Sequence, residues 1–343
     1  MRAVILGNGP SGSLAEVAEL SVPSISRGEL LVEMKACGLC GTDIEKLRGH
    51  YTAAMPVLGH EAVGIVSTVG EGVAGFKVGD RVFPHHHVPC GKCYYCANGS
   101  ETMCKEYRTS NIDPGGFSEF FRVPAQNVSR GGVLKLPDSL GFEEASLIEP
   151  VACCIRAQER SRVRPGEAVL VVGAGPVGMT HALLLRSNQA RVMISDVSEE
   201  RLDFARKFQF ELVLDPREED VAEAVKGKTW GRGADLVITA SGSNAAILQS
   251  LQSVRKGGRV CLFGLPPKGT VLDYDISDLF NSEVSVVTSY GATEKETSRA
   301  VEVISGHRAE FASLVTDRIP IGRFQEAVET ATAGKGMKVL LTP

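Results

Sequence analysis

What this chain lacks narrows its class before any motif is read. It has no basic block: 37 Lys and Arg stand against 41 Asp and Glu, for a formal charge of −4, so charge offers no footprint for nucleic acid. It has no apolar run of membrane-spanning length. The opening Met1 to Gly7 is too short an apolar stretch for a secretory leader, and later runs are broken by Gly and Pro. A cytoplasmic protein is therefore expected. There is no internal repeat and no low-complexity tract, and 343 residues is long for one core, which favours two domains.

Cysteine, by contrast, is plentiful. Nine cysteines in a cytosolic chain argue for metal or reactive thiols before disulfides, and six of them fall between Cys37 and Cys104. Cys90, Cys93, Cys96 and Cys104 have the spacing C-x2-C-x2-C-x7-C, with Gly91 and Gly99 easing the turns. Four thiolates on one short loop can enclose a tetrahedral zinc completely, with two disulfides or an iron–sulfur cluster as the competing readings. A closed zinc site contributes on the order of 10 kcal/mol to ordering its loop. His85, His86 and His87 precede that loop and are expected to be solvated rather than ligating.

A second candidate set is more dispersed: Cys40, the pair His60 and Glu61, and Glu149. One thiolate, one imidazole and one carboxylate nearly neutralise Zn²⁺ and leave a coordination position open, as a catalytic zinc requires. Each residue alone also has an ordinary reading, as a small buried cysteine, a core histidine or a surface carboxylate. The first 150 residues carry short alternating runs such as Glu29–Ala36 and Ala62–Val69 among many glycines, which predicts a compact β-rich domain with its chemistry in the loops.

The second half reads differently. Ala168 to Val172 is a short aliphatic run, followed by Gly173, Gly175 and Gly178 at the spacing G-x-G-x-x-G and by a helix-like segment from Val177 to Leu185. Such a strand, turn and helix start can seat a pyrophosphate on free N–H groups, although glycines also fill ordinary βα turns. The next strand, Arg191–Ser195, ends in Asp196, 18 residues beyond Gly178, where an acceptor for ribose hydroxyls belongs. A carboxylate there favours NAD over NADP, while Arg201 is the one nearby cation that could admit NADP. Further strands are predicted at Glu211–Asp215, Asp235–Ala240, Gly258–Gly264 and Glu283–Thr288, giving six in a doubly wound sheet.

Taken together, Gly59-His60-Glu61-x-x-Gly64 with Gly70 and Val73, then Gly79-Asp80-Arg81-Val82, the four-cysteine lobe, Glu149-Pro150 and the glycine turn follow one another in a known order. Over essentially its whole length the chain resembles zinc-dependent members of the medium-chain dehydrogenase/reductase superfamily, in the style of the sorbitol and threonine dehydrogenase branch. The resemblance implies an α/β protein: a GroES-like β-rich catalytic domain from residues 1–146 and 292–343, carrying the lobe at 90–104, and a Rossmann domain over 147–291. It implies two zinc ions per chain, one structural on the four cysteines and one catalytic on Cys40, His60 and Glu149, with Glu61 as alternative ligand. Thr42 resembles the hydroxyl that passes the alcohol proton outward. Glu45 stands where many relatives have the outer relay histidine, and Lys46 where polyol dehydrogenases often place an aromatic that meets substrate.

On the coenzyme side, Pro176, Val177, Asp196 and Arg201, with Phe263-Gly264-Leu265 and Ser289-Tyr290, resemble segments that line NAD. Cys153 and Cys154 are expected to be packing residues. The implied reaction is NAD-linked oxidation of a secondary alcohol on a polyol, amino alcohol or related hydroxy compound, with hydride passing to nicotinamide across a cleft. The alternatives are a dehydrogenase of small primary alcohols and a non-catalytic nucleotide-binding member. Relatives form homodimers or homotetramers, and Val284–Ser289 is a candidate edge strand for such pairing.

Overall fold

The computed structural model describes every residue except 10, 11, 51–54 and 335, and the side chains of 8–14 are likewise left aside. The chain forms two compact units, Met1–Ala152 with Ala292–Pro343, and Cys153–Gly291.

Among the described residues, seven strands precede the first crossover helix: β1 (Arg2–Gly9), β2 (Gly12–Glu19), β3 (Leu30–Gly38), β4 (Glu61–Val69), β5 (Arg81–Pro84), β6 (Phe120–Val123) and β7 (Val133–Lys135). Six more form the second unit: β8 (Ala168–Val172), β9 (Arg191–Ser195), β10 (Leu212–Leu214), β11 (Ala234–Thr239), β12 (Val254–Leu262) and β13 (Ser285–Thr288). The chain then returns to the first unit with β14 (Val315–Pro320) and β15 (Lys338–Thr342).

In the first unit β1 and β2 pair antiparallel, and a larger sheet runs β14-β15-β3-β4-β5-β7, with β6 added to β3. Its core is aliphatic and aromatic, including Leu30, Val32, Met34, Val66, Phe117, Phe121 and Phe324. The register sets the chemistry. β3 and β4 are antiparallel with Gly38 opposite Glu61, and β15 pairs antiparallel with β3 through Leu340 and Gly38. Three strand ends therefore meet where β3 stops, β4 starts and β15 starts. Gly38 allows this crowding, because a Cβ there would collide with the Glu61 carboxylate and the Lys338 stem.

The second unit is the expected parallel sheet, in the order β10-β9-β8-β11-β12-β13. β8 lies between β9 and β11 and is buried on both faces, which is why it appears in sequence as an unbroken run of Ala and Val/Leu. The order reverses beside β8, where doubly wound sheets bind ligands at their strand ends. β12 starts at Val254 rather than at Gly258, because Gly257 and Gly258 are accommodated inside the strand beside a register shift against β11. β13 is the last strand of the sheet and its side chains are largely exposed. No helix among the described residues is long and apolar enough to cross a membrane.

The glycine turn is sterically forced. Gly173 has φ of 104°, in the region that side chains disfavour, and a Cβ on Gly178 would run into the Gly173 carbonyl oxygen. Gly178→Ala should therefore destabilise the fold by roughly 1–3 kcal/mol, seen as a lower midpoint in urea unfolding; an unchanged midpoint would contradict the close approach described.

Candidate metal centres and nucleotide turn

The four-cysteine lobe is built locally. Cys93 precedes the short helix Tyr94–Ala97, and Cys104 precedes the helix Lys105–Thr109. Gly91 and Gly99 take φ of 72° and 69°, so the loop can fold back on itself. The Cys93 and Cys96 sulfurs lie 3.5 Å apart, and those of Cys90 and Cys96 3.9 Å. The backbone N–H groups of Cys93 and Cys90 donate to the sulfurs of Cys90 and Cys104 at 3.3 and 3.4 Å. All nine cysteines are free thiols. Burial opposes ionisation of Cys104, but backbone N–H donors from Cys90, Tyr107 and Glu106 bring its pKa down to about 6. All four ligand atoms fall within 4.8 Å of one another, as a tetrahedral S4 site requires.

The second cluster forms where the three strand ends meet. Cys40 caps the helix Gly41–Leu47, Glu61 opens β4, and His60 immediately precedes it. Ligand atoms of Cys40, His60 and Glu61 lie within 4.8 Å of one another. Glu149, at the start of the helix Ile148–Arg160, is buried but falls outside that mutual distance; its charge is felt at Lys338. The Thr42 hydroxyl donates to the Cys40 sulfur at 3.3 Å. Glu45 makes no bond to Thr42 among the described residues; its carboxylate meets Arg48 Nη1 at 2.9 Å and His50 Nδ1 at 2.6 Å.

Two residues outside the sequence-derived set complete the cluster. Asp43 is fully buried and sits 3.4 Å from His60 Nδ1, while its other oxygen accepts from the Cys40 N–H at 3.2 Å. A carboxylate behind a histidine in this way fixes the ring and leaves its other nitrogen to face a metal. Burial disfavours a charged His60, yet Asp43, through its charge and its hydrogen bond, raises the pKa well above the ordinary value. Lys338, the first residue of β15, forms a buried ion pair with Glu61 and donates to the Leu39 carbonyl at 3.2 Å. Burial disfavours its ammonium, and the Glu61 charge more than restores it. The carboxylate oxygens of Glu61 meet no other donor among the described residues. A thiol, an imidazole backed by a carboxylate, and a poorly solvated carboxylate form a donor set that fits Zn²⁺.

The histidine run is corrected by the structure. His85 and His86 are buried and His87 is half-buried, not solvated. The Asn127 amide ties down the carbonyls of His85 and His86 at 2.9 and 3.1 Å, and Tyr107 packs against His85 and His87. The His86 ring lies 5.1 Å from that of His60.

In the second unit Asp196 follows β9 and is held by the glycine turn: Oδ2 accepts from the Ala174 N–H at 2.6 Å and Oδ1 from the Ser198 N–H at 2.9 Å. Arg201 Nη1 is 3.6 Å from Asp196, and its guanidinium overlies Gly175. Pro176 and Val177 begin the helix Pro176–Ser187. Phe263 packs edge-on to buried His181, Gly264 abuts the Ser241 backbone, and Leu265 and Tyr290 are exposed. The Ser289 hydroxyl is shielded. Cys154 is buried and Cys153 half-buried.

Comparison with known proteins gives matching results for both units. A family model for the alcohol dehydrogenase GroES-like domain matches residues 26–138, and one for zinc-binding dehydrogenases matches 176–306. A sorbitol dehydrogenase of Halalkalibacterium halodurans is 31% identical, with 100% of this chain and 99% of that protein aligned. An L-threonine 3-dehydrogenase of Pyrococcus furiosus is 34% identical over 95% of this chain and 94% of its own length. Among solved structures, a zinc-binding dehydrogenase of Sinorhizobium meliloti 1021 bound to NADP superposes with a TM-score of 0.89 at 27% identity, covering 100% of this chain and 99% of that one.

Elemental analysis should find one zinc for each of the two clusters. Cys40→Ala should lose one ion with a modest fall in thermal midpoint, and Cys96→Ser should lose the other together with much of the stability of the lobe. Equal zinc content in wild type and both variants would contradict these centres.

Proposed function

Because this chain belongs to the zinc-dependent medium-chain dehydrogenases of the sorbitol and threonine dehydrogenase-like branch, we propose that it is an NAD-linked oxidoreductase converting a secondary alcohol to a ketone. Its substrate is a polyol, an amino alcohol or a related hydroxy compound. The observation that carries the reading is the convergence of Cys40, His60 and Glu61 within 4.8 Å, with Asp43 behind the histidine. A binding module has no use for a metal cluster of so few ligands.

Cys40, His60 and a glutamate would hold the ion, with Glu61 and Glu149 the two candidates for the carboxylate. When bound, zinc supplies Lewis acidity toward the alcohol oxygen, and the nicotinamide coenzyme supplies the hydride acceptor. The chain's own residues do the rest. Asp43 keeps His60 in one orientation, and Lys338 balances Glu61, so that the cluster can exist in a buried place. Thr42, whose hydroxyl lies within hydrogen-bond distance of the Cys40 sulfur, would take the alcohol proton, while Glu45 is engaged by Arg48 and His50 and makes no bond to Thr42 among the described residues.

The glycine turn supplies backbone N–H groups for a pyrophosphate at the head of the helix Pro176–Ser187. Asp196, held by two backbone N–H bonds at the end of β9, would accept from the ribose hydroxyls, which favours NAD over NADP; Arg201 beside it tempers the preference. Self-association through the exposed β13 edge, flanked by exposed Ile276 and Phe280, belongs to the same reading. Light scattering should give a dimer or tetramer, and a monomer at all concentrations would contradict it.

Turnover is followed by NADH absorbance with a panel of secondary alcohols. Asp196→Ala should narrow the ratio of kcat/KM for NAD over NADP by about tenfold or more, as expected for loss of a charged hydrogen-bond acceptor. An unchanged ratio would refute the coenzyme assignment, and absence of turnover with every alcohol would refute the reaction.

A further inference from the structure

The second unit buries a histidine that the chemistry above does not use. His181, on the helix Pro176–Ser187, is fully buried, and burial brings its pKa down to about 3, so the ring is neutral. A neutral imidazole has one donor nitrogen and one acceptor nitrogen. Gln158, buried on the helix Ile148–Arg160, decides which is which. Its Nε2 donates to the His181 carbonyl at 3.1 Å and stands 3.3 Å from His181 Nδ1. A carbonyl only accepts, so the amide nitrogen and not the amide oxygen faces the histidine, and its second hydrogen goes to Nδ1. The proton of the ring therefore resides on Nε2.

His181 Nε2 is buried and meets no hydrogen-bond acceptor among the described residues. An N–H left without a partner in the interior is costly. The ring packs instead on Phe263: the two planes stand at 87°, with centroids 4.6 Å apart. Perpendicular rings at that distance present the edge of one to the face of the other, and the negative face of a phenyl ring accepts an imidazole N–H.

Phe263 stands at a sensitive place. It is the first residue beyond β12 and is half-buried, and its N–H and that of Gly264 both reach the carbonyl of Thr239, the last residue of β11, at 3.1 and 2.8 Å. Doubly wound sheets seat a dinucleotide across the carboxyl ends of their strands, one mononucleotide on each side of the point where the strand order reverses. Asp196, after β9, belongs to the adenosine side, so the ends of β11 and β12 fall to the nicotinamide side.

We propose that His181 is a positioning residue for the nicotinamide half of the coenzyme site: its Nε2–H, oriented by Gln158, donates to the face of Phe263 and fixes residues 263–265 beside the nicotinamide. This rests on the dehydrogenase reading above and deepens its coenzyme site.

The test titrates the full-length protein with NADH and with ADP-ribose, which shares the adenosine and the pyrophosphate but lacks nicotinamide. His181→Leu should weaken NADH binding about fivefold, the scale of one oriented aromatic contact, and leave ADP-ribose within about twofold. Gln158→Leu keeps the ring but releases its tautomer, and should show the same selective loss in smaller measure. His181→Gln keeps an N–H donor and should retain more NADH affinity than His181→Leu. Heteronuclear NMR of histidine-labelled wild type should place the His181 proton on Nε2. Equal weakening of both ligands would overturn the proposal, because the histidine would then serve only the packing of its helix. NADH affinity unchanged in both leucine variants, or a ring proton on Nδ1, would overturn it as well. Should His181→Leu fail to fold, Gln158→Leu and the wild-type spectrum decide. Wild type that binds neither NADH nor ADP-ribose would sink the dehydrogenase reading and the proposal with it, whereas wild type that binds both, without a selective loss in the variants, sinks the proposal alone.

Discussion

Two fully buried carboxylates, Asp43 and Glu61, are confined next to a thiol and an imidazole, and this crowding of negative charge is the constraint on which the rest depends. Uncompensated, such a cluster would be strongly destabilising. The fold compensates it from three directions. Asp43 is set against His60 and a backbone N–H, Glu61 against Lys338, and the donor set that remains calls for a divalent cation. Strand register delivers each of these groups. β3 brings Cys40, β4 brings His60 and Glu61, and β15, arriving from the other end of the chain, brings Lys338. The C-terminal return is thus part of the site and not only of the sheet.

The two cysteine-containing clusters answer opposite requirements. The lobe at 90–104 draws all its ligands from one short segment and closes on itself, which suits an ion whose task is to hold a loop. The other draws on distant segments and brings three ligand atoms within mutual reach, which fits the open coordination position that the proposed function requires. Conformational freedom is restricted in the same spirit at the nucleotide turn, where Gly178 lets the helix approach the end of β8 and Asp196 ties the turn to β9.

Much of this was legible in the sequence, for identifiable reasons. β8 is buried on both faces and so reads as an uninterrupted aliphatic run, and the cysteine lobe is legible because its geometry is set within fifteen residues. The role of Asp43 is not legible in sequence although it stands three residues from Cys40, since nothing local distinguishes an acid that orients a histidine from a helix cap, and here it does both. Lys338 left only a faint signal, a charge opening the apolar run Val339-Leu340-Leu341, and its role depends on pairing with a strand some three hundred residues earlier. The burial of the histidine run is not legible locally, because it comes from Asn127 and Tyr107, which no local pattern announces. Glu45 occupies a family relay position, yet its side chain turns to Arg48 and His50, a choice fixed by the helix surface rather than by the motif.

The most direct measurement loads the protein with Co²⁺ at Cys40, His60 and the carboxylate and records the visible spectrum as a secondary alcohol or imidazole is added. An incompletely enclosed site predicts bands of a distorted tetrahedral thiolate complex that shift on addition of either ligand and are absent in Cys40→Ala. A spectrum indifferent to added ligand, or identical in Cys40→Ala, would contradict the account.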